Sequence, residues 1–134
     1  MRLLTLVICL LAATACDETS PAAPSVGLGG RFTLAPGERA LVEGTELRLQ
    51  FLEVTGDSRC PADALCIQGG DALVHVLASD GTTMRYELHT GDSSRAAATH
   101  GGYLIELVEL QPYPFSSRPI QPGDYRATLV VSRR

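Results

Sequence analysis

Apolar residues recur along this chain with a period of two, in short runs interrupted by Gly, Pro, Asp and Ser. Side chains along a strand point alternately to opposite faces, so such runs fit half-buried strands. No segment keeps the 3.6-residue apolar spacing of a helix beyond two turns. Strands are expected over residues 31–35, 39–42, 46–55, 71–79, 83–88, 103–110 and 125–132. Pro36-Gly37, Glu43-Gly44, Asp80-Gly81 and Pro122-Gly123 supply turns, with Asp80-Gly81 best suited to a two-residue hairpin. The expected fold is all-β, one small antiparallel sandwich or barrel of about seven strands with one disulfide.

Two of these strands change phase. Leu47, Leu49 and Phe51 share a face, whereas Leu52 and Val54 continue the apolar positions one residue out of step. The same switch separates Ile105 and Leu107 from Val108 and Leu110. A β-bulge in each strand accounts for both, and paired kinks suit a closed or coiled sandwich. The expected core is Phe32, Leu34, Leu47, Leu49, Phe51, Val74, Val76, Met84, Tyr86, Leu88, Ile105, Leu107, Leu129 and Val131.

The N-terminus reads as a targeting segment. Arg2 precedes an apolar run over residues 3–13 and the small residues Ala13-Thr14-Ala15, the outline of a signal peptide over 1–15. Eleven apolar residues are too few for a permanent membrane span, which needs about twenty. Cys16 follows directly, and here the sequence resembles the lipobox of bacterial lipoproteins, with Ala13 where Leu is usual. That resemblance implies lipidation at Cys16 and a permanent membrane anchor. Simple cleavage that leaves Cys16 a free thiol is the competing reading. Residues 16–30, with Pro21, Pro24, Gly27, Gly29 and Gly30, read as a lipidated Cys and flexible tether, and residues 31–134 as the β domain.

All eleven basic residues are Arg, set against fifteen acidic ones, and the formal net charge is −4. No basic cluster is available for phosphate neutralisation, so nucleic acid is not an expected partner. With Cys9 in the leader and Cys16 acylated, Cys60 and Cys66 are the remaining pair in an oxidising compartment, and a disulfide between them is expected. The alternative is a metal site, but two thiolates without a second cysteine pair or a neighbouring His fall short of zinc's four ligands.

Asp57-Ser58-Arg59-Cys60-Pro61, followed by Cys66-Ile67-Gln68-Gly69-Gly70-Asp71, resembles the signature of a family of bacterial envelope lipoproteins of uncharacterised activity. That signature runs Asp-Ser-Arg-Cys-Pro, then Cys-Val-Trp-Ala-Gly. The present chain has Gln68 in place of the Trp and Gly69 in place of the Ala. The similarity extends over residues 31–132 and implies a fold and a cell-envelope location facing the periplasm or exterior, but no activity.

Within the motif, Arg59 has Asp57 or another carboxylate to pair with, which would fix the loop. The alternative makes Asp57, Ser58 and Arg59 a recognition surface on a stiff scaffold. Tyr113 and Phe115 alternate with prolines in a segment that cannot continue a central strand. They either cap the core or form a docking patch. Residues 92–102 read as a mobile loop. No Gly-x-Ser-x-Gly turn frames Ser58, and His75, His89 and His100 show no metal-ligand spacing. No catalytic residue, cofactor or metal is therefore expected. The expectation is a membrane-anchored module that binds an envelope protein or ligand. The alternatives are a structural envelope protein and, further off, a hydrolase or metal-binding protein.

Overall fold

The structure, a computed structural model, describes residues 22–134. The expected leader and the lipidation site at Cys16 lie outside the described residues. The described residues form nine strands: β1 Ser25–Val26, β2 Arg31–Leu34, β3 Arg39–Val42, β4 Arg48–Asp57, β5 Ala72–Ser79, β6 Thr83–His89, β7 Ala97–His100, β8 Tyr103–Gln111 and β9 Arg126–Arg133. They make a five-stranded sheet in the order β1-β3-β4-β5-β6 and a four-stranded sheet in the order β2-β9-β8-β7. The all-β sandwich read from the alternation is therefore what forms.

Alternation places the core. In β9, Ala127, Leu129 and Val131 are buried while the residues between them are more exposed. Val74, Val76 and Ala78 are likewise buried in β5, where the intervening His75 is buried as well. One buried cluster takes Leu49, Phe51, Val76 and Leu88 from the first sheet and Ile105, Leu129 and Val131 from the second. Both expected bulges are present. The β4–β5 register shifts between Phe51 and Glu53, and the β8–β9 register shifts between Leu107 and Glu109. Each extra residue restores the inward phase, so that Val54 packs on the core and Leu110 is buried.

Several expectations need correction. The sandwich has two more strands than expected. β1 pairs in parallel with β3 through Ser25–Leu41 and Val26–Val42, so part of the segment read as tether belongs to the β domain. Two residues carry no readable alternation, and the pairing comes from β3. β7 lies inside the segment read as a mobile loop, with Ala97, Ala98 and Thr99 too small to show apolar contrast. The β5–β6 connection spans three residues, Asp80, Gly81 and Thr82, rather than two. Met84 is 52% exposed, because it lies near the open end of the edge strand β6. Phe32 and Tyr86 pack against the core from its margin. The buried Ala40, Ala72, Ala78, Ala127 and Tyr125 were not foreseen.

Candidate functional site

Strand direction gathers three connections at one end of the sandwich. β4 ends at Asp57 opposite Ala72, β6 ends at His89 opposite Leu73, and β8 ends at Gln111 opposite Arg126. Residues 58–71, 90–96 and 112–125 therefore share that end.

The Asp-Ser-Arg motif ties them together. Arg59 donates from Nε to Asp57 Oδ1 at 2.8 Å and from Nη2 to Oδ2 at 2.7 Å, and the two side chains are only 9% and 11% exposed. The rest of the guanidinium reaches across to the other sheet, donating to the carbonyls of Leu110 at 2.7 Å and Pro112 at 3.0 Å. Tyr125 donates its hydroxyl to Asp57 Oδ2 at 3.0 Å. Burial pushes the Asp57 carboxyl up, but the hydrogen bonds and charge of Arg59, with help from Tyr125, outweigh it and hold the group below the usual carboxylate range. The Tyr125 phenol is pushed up to about 12 by burial and by the neighbouring carboxylate. Asp57 and Arg59 are thus a bolt between the sheets, the structural alternative of the two read from the motif.

Ser58 closes the neck of the loop, exchanging hydrogen bonds with the carbonyl and amide of Asp71 at 3.0 and 3.1 Å. Gly70 lies beneath it at φ +68°, where a Cβ would stand 1.7 Å from the Ser58 carbonyl oxygen, so only glycine fits. At Gly69 a Cβ would meet nothing, which leaves room for the Ala of the resembled signature. Cys60 and Cys66 are joined, with Cα atoms 5.9 Å apart.

Tyr113 and Phe115 do not cap the core. They are 55% and 49% exposed, and their segment is fastened to the disulfide loop. Ala62 donates its amide to the Pro114 carbonyl at 2.9 Å, and the Ser116 amide donates to Asp63 Oδ1 at 2.9 Å. Tyr113 stands with its ring centroid 5.9 Å from the Arg59 guanidinium carbon, a ridge with a groove on either side. One groove, of about 380 Å³, is lined by Pro112, Phe115, Pro119 and Ile120, with Arg118 and Asp124. The other, of about 530 Å³, is lined by Arg59, His89, Thr90 and Glu109 together with the apolar Leu107 and Leu110. The structure therefore brings Arg59, the disulfide, Tyr113 and Phe115 onto one end. It also adds His89, Thr90 and Glu109, whose spacing in sequence carried no sign that they converge.

The histidines are committed to neighbours. His89 lies between Asp71, 2.5 Å from Nδ1, and Glu87, 3.1 Å from Nε2. Asp71 also accepts from the Gly91 amide at 2.8 Å. Burial raises the Asp71 carboxyl, but that amide and His89 outweigh it and bring it below its ordinary range. His100 sits between the Tyr86 hydroxyl and Asp80, and His75 between Thr55 and Arg85. Each ring thus has both nitrogens engaged within the fold. Among the described residues no three His, Cys, Asp or Glu side chains converge as a metal site, and no helix is long and apolar enough to cross a membrane. Compared with known proteins, the chain matches no family model, no curated protein and no solved structure.

Proposed function

We propose that this chain is a bacterial envelope lipoprotein held to a membrane through acylated Cys16, and that its β domain is a binding module working through the Tyr113 end. The lipobox-like run before Cys16 and the Asp-Ser-Arg-Cys-Pro motif support the location. One observation carries the binding role: an exposed Tyr113, backed by a bolted Arg59, divides an apolar groove from one of mixed polar and apolar lining. An aromatic ridge with an apolar wall and a few polar groups fits an amphipathic ligand or a protein segment. Catalysis has less support, because the histidine nitrogens are occupied by internal partners and Ser58 is hydrogen-bonded to the backbone of Asp71.

The test is a panel of envelope-derived glycan, peptide and lipid fragments titrated against the protein while backbone amide shifts are followed. Perturbations should centre on Tyr113, Glu109 and Thr90 and be lost in Tyr113→Ala. Shifts confined to the opposite end, or none with any fragment, count against a binding role for this end.

A further inference from the structure

We propose that the disulfide loop is a second membrane contact, with Leu65 and Ile67 entering the lipid interface beside the anchor. This goes beyond ligand binding in the grooves, and it rests on the lipid-anchored reading for its orientation.

Three observations lead to a bilayer as the occupant. The first is exposure: Leu65 and Ile67 flank Cys66 and are as accessible as in an extended peptide, at 105% each. Large aliphatic side chains held fully in water on a stapled loop mark a contact surface. The loop is already ordered by the Cys60–Cys66 bond and the Ala62–Pro114 hydrogen bond, so insertion costs little further conformational freedom.

The second is charge and chemistry. Between Cys60 and Gly70 the single charged residue is Asp63, and it is turned back onto the Ser116 amide and hydroxyl. The half-exposed Tyr113 and Phe115 lie on the segment fastened to this loop, and aromatic rings favour the headgroup level.

The third is where the anchor comes from. β1 is parallel to β3 and β3 antiparallel to β4, so the chain before Ser25, traced backwards, runs in the direction of β4, toward the disulfide end. Ala22 lies beside the β2–β3 turn, whose Gly37 amide donates to the Phe51 carbonyl at 2.7 Å. From Phe51 to Asp57 the strand rises roughly 20 Å. The six residues from Cys16 to Ala22 reach at most about 20 Å. An acylated Cys16 can therefore be level with the strand end from which the disulfide loop projects.

The chain contains no Trp, so one introduced at position 67 is the sole indole reporter. Full-length Ile67→Trp protein, isolated from the envelope, would be mixed with phosphatidylcholine vesicles with and without brominated acyl chains, and its N-terminal mass read in parallel. Leu65→Trp serves as a second reporter, and Glu43→Trp, in the turn at the opposite end, as the control. The expected result is a blue shift of the position-67 emission on vesicles and loss of most of its intensity to the brominated lipid, with neither at position 43. An acylated protein whose position-65 and position-67 reporters both stay in water, open to aqueous quenchers, overturns the second contact and leaves the anchor standing. A non-acylated protein whose loop reporters are still quenched by brominated lipid overturns the anchor and supports the contact. Failure of both signals rejects both.

Discussion

Arg59 grips Asp57 with two parallel hydrogen bonds, at 2.8 and 2.7 Å, and uses its remaining donor edge to hold the backbone of the opposite sheet. This bidentate fork is a geometry only arginine provides, and it joins the end of β4 to the end of β8. The motif thus positions the Tyr113 ridge rather than displaying its own charges.

Removing the carboxylate should be costly. Asp57→Ala leaves a nearly buried guanidinium without its counter-charge and is expected to lower unfolding free energy by roughly 3 kcal/mol. Chemical denaturation reads this as a lower midpoint at unchanged slope. The bolt also sets an acid limit. Because the folded carboxyl titrates below its unfolded value, its stabilisation is present above about pH 4 and is lost as pH falls through the lower, folded value. Asp57→Asn should be less stable at neutral pH and lose less on acidification. A midpoint indifferent to Asp57→Ala would show that the Asp57–Arg59 pair does not hold the sheets together.

The two glycines after Gln68 should behave oppositely. Gly70→Ala meets both a left-handed backbone and the Ser58 carbonyl, and should destabilise by well over 1 kcal/mol. Gly69→Ala enters open space and should leave the thermal midpoint nearly unchanged. Equal effects at both positions would contradict the geometry of the loop neck.

The Cys60–Cys66 bond closes a short loop, and the chain-entropy model gives it roughly 2 kcal/mol. Cys60→Ser with Cys66→Ser should lower stability by about that amount. The double variant should also speed hydrogen exchange at Ala62 and Ser116, whose hydrogen bonds tie the loop to the Tyr113 segment. Two freely alkylated thiols in protein taken from the envelope would show that the bond is absent there.

Apolar alternation records some of these elements and not others. β4 and β8 were readable down to their bulges, because Phe51-Leu52 and Leu107-Val108 shift the apolar phase visibly. β7 was not, since Ala97-Ala98-Thr99-His100 offers little contrast between faces. β1 was not, since two residues carry no period. Asp57–Arg59 was foreseen as one of two roles for the motif, because the partners lie two residues apart. The mixed groove was not: His89 and Glu109 come from different sheets, and only the shared end of β6 and β8 brings them together. Exposure at Tyr113 and Phe115 was also beyond reach, as Pro-aromatic alternation suits a core cap equally well.

Anchoring has its own prediction. Cys16→Ser should release the protein from the membrane fraction and abolish acyl labelling, since multiple acyl chains are what make attachment permanent. Full retention and labelling of the variant would contradict lipidation at Cys16.

The most direct test of a module that works through its Tyr113 end is crosslinking in intact cells, with a photoreactive phenylalanine analogue placed at position 113 or, as a control, at position 43. A discrete adduct is expected from position 113, on an envelope protein or a small molecule of defined mass. That adduct should be absent from position 43 and reduced by Arg59→Ala, which frees the segment that carries the ridge. The same diffuse products from both positions, or none from position 113, would contradict it.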